Sequence, residues 1–160
     1  MVNLDFLESV EVFKDLDDDQ LTAVRDCCRE AEYGRGEKIF GVKGAPVSLW
    51  AVIEGEVDLQ QEPPENPTAQ GDKIVTLSKT MTFGWSSLVP PFKYRLSAYC
   101  ATRSCKVLKI DSQCLTRLFE QDAELGYMVM SKIVAVVGTR FYQLREEIIK
   151  HRGHDIINKW

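Results

Sequence analysis

The rhythm of hydrophobic positions changes along the chain, and each change predicts a different element. Leu4, Phe6, Leu7, Val10, Val12 and Phe13 form a dense apolar segment, expected to pack against the rest of the protein. Asp17, Asp18 and Asp19 then precede Leu21, Val24 and the Cys27-Cys28 pair. Acidic residues suit the positive end of a helix dipole, so a helix is predicted over 18–30. From Glu32 onward short apolar runs are punctuated by Gly34, Gly36, Gly41, Gly44 and Gly55. Lys38–Phe40, Ser48–Ile53 and Glu56–Gln60 read as strands, with Glu54-Gly55-Glu56 as the hairpin turn between the last two. Residues 62–71 carry Pro63, Pro64 and Pro67, which cannot serve a central strand, and read as a loop. Strands are expected again at 73–78, 96–102 and 105–110, with Arg103-Ser104 separating the last two. Short strands between turn signals predict an all-β sandwich or barrel.

The last third has helical spacing. Asp111-Ser112 is expected to cap a helix reaching about Asp122, and a longer helix is predicted from about Ala123 to Lys150. Its apolar residues fall in two stripes. Tyr127, Met130, Val134, Val137, Phe141, Leu144 and Ile148 follow spacings that alternate between three and four, the pattern of a helix-pairing seam. Leu125, Val129, Ile133 and Val136 form the second stripe, which can face the barrel. The alternative is a single wide core-facing stripe; two stripes favour a homodimer through the long helix. There is no internal repeat and no low-complexity tract.

Composition narrows the class. The chain has 160 residues, 44% apolar and 28% charged, which suits one domain that buries a core without disulfides or metals. The expected division of this single domain, 1–160, is an N-terminal helical segment 1–31, a β-roll 32–110 and C-terminal helices 111–160. A net charge of −4 argues against DNA and anionic membranes as partners. No apolar run approaches the ~20 residues of a membrane span. Met1 to Asp5 has no basic segment of a signal peptide, so a cytoplasmic location is expected. The five cysteines, Cys27, Cys28, Cys100, Cys105 and Cys114, are odd in number and lack a CxxC pair. They read as buried reduced thiols rather than a disulfide framework or zinc site.

Several pieces, in order, resemble the cyclic-nucleotide-binding domains of catabolite activator protein, protein kinase A regulatory subunits and cyclic-nucleotide-gated channels. They are Gly36-Glu37-Lys38-Ile39-Phe40, Gly44, Trp50-Ala51-Val52-Ile53-Glu54-Gly55-Glu56-Val57, Phe83-Gly84-Trp85-Ser86-Ser87-Leu88, Arg95, and Val107-Leu108-Lys109-Ile110-Asp111. Each piece alone is weak; the ordered set covers nearly the whole chain. The resemblance implies a double-stranded β-helix (jelly roll) with flanking helices, mainly β, whose long C-terminal helix often forms the dimer. It also implies a phosphate-binding cassette at about 83–98. A buried cyclic phosphate needs a guanidinium and backbone N–H groups at the start of a short helix. By resemblance, Arg95 is the phosphate arginine, and Gly84, Trp85, Ser86, Ser87 and Leu88 form the short helix. Phe83, Leu96 and Ser97 complete the expected ligand-binding set.

The cassette departs from the family pattern. Where the family has a glutamate that accepts from the ribose 2′-hydroxyl stands Trp85, which has only an N–H donor. Where it has a small residue after the arginine stands Leu96, and Pro90-Pro91-Phe92-Lys93-Tyr94 makes the intervening loop bulky. Loss of a charge-assisted hydrogen bond costs about 1.5–3 kcal/mol, roughly ten- to a hundredfold in affinity. Cyclic AMP or cyclic GMP is thus the ligand the fold suggests and Trp85 the residue that speaks against it, as a pocket plug or as a stacking platform.

No enzyme is expected. Ser86 and Ser87 have no histidine near them in sequence to act as base. Metal-dependent cupins, which share the double-stranded β-helix, use a cluster of barrel histidines with an acid, and the only histidines here, His151 and His154, lie outside the predicted barrel. These read as a solvated helix end rather than a weak metal pair, so no metal or cofactor is expected. Thr139 and Arg140 lie near where family members cap the purine base. After Lys150 only ten residues remain, too few for a helix-turn-helix if the end is native. The expected function is a non-enzymatic ligand-sensing regulatory domain in signal transduction, read out by a partner protein. The alternative is a pseudo-sensor that serves dimerisation or scaffolding. A third reading is a domain cut from a larger regulator or channel.

Overall fold

The computed structural model describes residues 1–61 and 72–158, with Asp72 and residues 151–158 described by backbone alone. The predicted loop over 62–71 and the side chains of His151 and His154 lie outside the described residues.

Local caps set the helix starts. Asn3 accepts from the N–H groups of Asp5 and Phe6 and opens α1 (Leu4–Ser9). Asp17 and Gln20 form a reciprocal capping box that opens α2 (Asp18–Arg25). The predicted helix over 18–30 is corrected here. It stops at Arg25, because Cys28 already enters strand β1 (Cys28–Gly34). That strand pairs antiparallel with β8 (Ser104–Asp111) from Cys28–Ile110 to Gly34–Ser104. The β-roll therefore starts before Glu32. Arg29, Glu30 and Glu32 hid the strand, because an edge strand with charged side chains lacks a strong apolar period. Glu30 meets Lys106 of β8 at 2.9 Å.

The other strands are β2 (Lys38–Phe40), β3 (Ser48–Glu54), β4 (Val57–Gln61), β5 (Asp72–Leu77), β6 (Thr82–Phe83) and β7 (Ser97–Cys100). They form two four-stranded antiparallel sheets, β1-β8-β3-β6 and β2-β7-β4-β5. This is the predicted jelly roll. Gly55 holds the β3–β4 hairpin at φ +79°, where an added Cβ would sit 2.5 Å from the Ser104 carbonyl oxygen. Only glycine fits that turn. Strand β6, two residues long, is too short to carry a period and was not predicted.

Two apolar clusters hold the fold. One lies between the sheets and includes Trp50, Val52, Leu77, Phe83 and Val107. The other joins one sheet to the helices and takes in Leu7, Val10, Phe13, Leu21, Leu115 and Ile133. The N-terminal apolar segment thus packs on the main body as expected.

The expectation of five reduced thiols is corrected. Cys27 and Cys114 form a disulfide, with S–S 2.11 Å and Cα–Cα 5.6 Å. Pairing of β1 with β8 brings the end of α2 beside α3 (Ser112–Gln121), which follows β8 directly. Residues 87 apart in sequence meet through that register, which a cysteine count does not reveal. Cys28, Cys100 and Cys105 are free, and burial pushes the thiols of Cys28 and Cys105 up to about 12.

Asp111 caps α3 by accepting from the Cys114 N–H at 2.7 Å. The long helix α4 (Ala123–Asn158) runs beyond the predicted Lys150. Leu125, Val129, Ile133 and Val136 are buried against the helical cluster. The predicted seam splits: Tyr127, Val134, Phe141 and Ile148 are exposed, while Met130 and Val137 lean on the core. Among the described residues, no helix is long and apolar enough to cross a membrane.

Candidate functional site

A cleft of about 320 Å³ opens where β4, the β6–β7 connection and α4 converge. Leu59 and Gln61 line it from β4, and Phe40 from β2. Gly84, Trp85 and Ser86 line it from the turn after β6; Tyr94, Arg95 and Leu96 from the approach to β7; and Arg140 and Leu144 from α4.

The floor is aromatic at Phe40 and Tyr94, and Phe40 packs in turn on Trp50 and Phe83 of the core behind it. Phe40 stacks on Tyr94 with ring centroids 3.9 Å apart, and Trp50 and Phe83 lie near-parallel to each other at 6.1 Å. The Tyr94 hydroxyl donates to the Ser48 carbonyl oxygen at 3.1 Å and accepts from Trp50 Nε1 at 3.5 Å. Burial raises the Tyr94 pKa despite these hydrogen bonds, so the phenol stays neutral. Gly84 crosses this floor at φ +74°, and an added Cβ would lie 2.7 Å from Trp50 Cδ1. A glycine is needed both for the left-handed conformation and for the close approach.

Beyond Gly84 the chain makes one 3₁₀ turn, Trp85–Ser87. The Ser87 N–H donates to the Gly84 carbonyl oxygen at 3.2 Å and the Leu88 N–H to that of Trp85 at 2.9 Å. The Ser87 N–H, one of the backbone groups of the expected short helix, is therefore already engaged. The Ser87 hydroxyl donates to the Gly84 carbonyl oxygen at 3.1 Å and lies 2.6 Å from the Ser112 hydroxyl. Ser87 faces a separate, open groove beside α3, with Asp111 and Ser112. Ser86, the preceding residue, is the one that lines the cleft.

The nine predicted ligand residues thus divide. Gly84, Trp85, Ser86, Arg95 and Leu96 line the cleft. Phe83 does not: it is wholly buried between the sheets. Leu88 packs on the helical cluster. Ser97 is wholly buried, opposite Gln60 on β4. Strand alternation explains Ser97, since neighbouring residues point to opposite faces. Trp85 is half-buried, packs on the helical cluster and forms part of the cleft wall. The remaining volume lies at the small end of ligand pockets, roughly 300–1,000 Å³. Arg95 is exposed and, among the described residues, forms no ion pair.

Sequence reasoning did not place Leu59, Gln61 or Leu144 in a site, and it gave Arg140 no firm role. A signal for Arg140 existed. It stands four residues after Val136 on the buried stripe of α4, and a charged residue there must be buried or must line a cavity. Among the described residues, no group of three His, Cys, Asp or Glu side chains is placed to hold a metal.

No protein-family model and no curated protein sequence matches the chain. Solved structures do. A Geobacter metallireducens GS-15 protein, named as a candidate cyclic-nucleotide-binding protein, superposes with a TM-score of 0.75 at 26% identity, over 88% of this chain and 99% of that one. The sensor domain of the transcriptional regulator DNR from Pseudomonas aeruginosa gives 0.70 at 16% identity, over 86% of this chain and 89% of that one. The catabolite activator protein of Thermus thermophilus gives 0.69 at 18% identity, over 89% of this chain but only 63% of that one. The fold of this chain is that of the cyclic-nucleotide-binding domains.

Proposed function

We propose that this chain is a non-enzymatic, ligand-sensing regulatory domain that binds a small anion in the cleft beside Arg95. The observation that carries the reading is the placement of Arg95, with Ser86 and Gly84, on the wall of one cleft that α4 also closes. An exposed guanidinium over an aromatic floor offers charge and apolar contact together. A ligand that engages both the turn and α4 biases their relative position, and a partner protein reads the shift. Trp85 supplies no acceptor for a ribose hydroxyl, so cyclic nucleotides are expected to bind more weakly than to a site with a carboxylate there.

The test is calorimetric titration with cyclic AMP, cyclic GMP and octanoate, on the full chain and on Arg95→Ala. Binding of at least one probe, lost in Arg95→Ala, is the expected result. No binding by any probe, or binding indifferent to Arg95→Ala, would remove the sensor reading.

A second reading is a pseudo-sensor whose work is dimerisation or scaffolding. It is favoured by the exposed row Tyr127, Val134, Phe141 and Ile148, at 55–76% exposure, which repeats every seven residues as one position of a helix pair does. A second copy of the chain is the proposed occupant, and it is compatible with the sensor reading as well.

A further inference from the structure

We propose that Arg140 is a second anion-binding residue of the cleft, so that the ligand carries two separated anionic groups on an apolar body. The proposal rests on the reading of the cleft as an anion site at Arg95. Arg140 continues the buried stripe of α4, and the helix delivers its guanidinium to the cleft wall at only 6% exposure. Its Nη2 donates to the Thr82 carbonyl oxygen at 3.1 Å. The carboxylate it approaches, Glu11 Oε1, stands 3.9 Å away. That oxygen already accepts from the Thr82 N–H at 2.7 Å and the Thr82 hydroxyl at 2.6 Å. Arg140 Nε has no hydrogen-bond partner among the described residues.

A buried guanidinium is ordinarily paired, with its N–H donors satisfied. Here burial draws the Arg140 pKa below its usual value, and Glu11 only partly opposes this. The group is a desolvated cation whose one ion pair among the described residues, to Glu11, is long at 3.9 Å, and its residue lines the cleft.

The rest of the wall describes the ligand's body. Phe40, Leu59, Trp85, Leu96 and Leu144 are apolar, Arg95 brings the other positive charge, and no carboxylate lines the cleft among the described residues. A cyclic nucleotide has one anionic group and can meet only one of the two arginines. A molecule with an anion at each end of an apolar spacer satisfies both.

The test titrates the full chain with the straight-chain α,ω-dicarboxylates from adipate to sebacate and with monocarboxylates of equal length, hexanoate to decanoate. At one length the diacid should bind about tenfold or more tightly than its monoacid, the worth of a charge-assisted hydrogen bond. Arg140→Gln should erase that advantage, while Arg95→Ala should abolish binding of both. Equal affinities of diacids and monoacids in the unaltered chain would overturn the proposal without recourse to any variant. So would an advantage that survives Arg140→Gln. If Arg140→Gln does not fold, Glu11→Gln is the second handle. Removing the carboxylate 3.9 Å away should tighten diacid binding alone, and an unchanged preference counts against the proposal. Monoacids bound through Arg95 with no gain for diacids would sink the second contact and leave the sensor reading standing. Absence of any binding would sink both.

Discussion

The two apolar rows of α4 are built from similar side chains and end in opposite surroundings. Leu125, Val129, Ile133 and Val136 are at most 8% exposed, while Tyr127, Val134, Phe141 and Ile148 are at least 55% exposed. Periodicity marks both as faces that favour cover, and it does not say what covers them. The buried row is covered because the N-terminal segment, α3 and one sheet of the roll meet on that side. Its continuation by one turn carries Arg140 to the cleft, so the row that anchors the helix also aims its charged residue. The exposed row, by contrast, is one heptad position repeated. Its would-be companions Met130 and Val137 lean on the core, and Leu144 lines the cleft. A seam read from sequence as one surface is thus shared between solvent, core and site.

The largest expected effect comes from adjacent residues in the two rows. Ile133→Ala should destabilise by about 2–5 kcal/mol, the range for truncating a buried aliphatic side chain. Val134→Ala should stay within about 0.5 kcal/mol. Urea midpoints at low and high protein concentration check both. A Val134→Ala penalty that grows with concentration would break the contrast, because the exposed row would then be covered by a second copy.

Reducing the disulfide tests the covered side alone. Cys27 belongs to the helical cluster, and its bond to Cys114 spans 87 residues. Dithiothreitol should lower stability by about 2–4 kcal/mol, mainly by freeing the unfolded chain. Cys27→Ser should show the same midpoint with and without reductant. A wild-type midpoint indifferent to reductant would show that the two sulfurs contribute nothing as a bond.

The smallest effect concerns the start of α4. The Asp122 carboxylate accepts from the Leu125 N–H at 3.1 Å and from Gln20 Nε2 at 3.3 Å. The Leu125 hydrogen bond first, and then Gln20, hold its pKa below the ordinary carboxylate value. Its contribution is present above the usual aspartate pKa of about 3.9 and is lost as pH falls through the lowered value. Asp122→Asn should flatten that part of the acid limb in a stability–pH profile. An identical limb in the variant would place the acid sensitivity elsewhere.

Some of the site was legible in the residues and some was not, for identifiable reasons. Gly84 and Arg95 carry local chemistry, a left-handed turn and a charge before a strand, and both line the cleft. Ser86 and Ser87 are alike in sequence, and only the 3₁₀ turn decides that Ser86 faces the cleft while Ser87 faces α3. Ser97 looked like a neighbour of Arg95, and strand alternation turned it inward. The Glu11–Thr82–Arg140 contacts join three distant segments, and no local pattern announces them.

While the jelly roll was what the family resemblance implied, the sequence by itself determined short strands set between helical ends, the Gly55 hairpin, the cap at Asp111 and the stripe that α4 buries. Each of these depends on interactions among near neighbours or on a repeating period, which a linear pattern records. Tertiary structure alone decided that Cys27 meets Cys114, that the charged strand β1 pairs with β8, that Ser87 turns from the cleft, and that Arg140 lies buried beside it. Those depend on the register of strands and the docking of α4, which set distances between residues far apart in the chain.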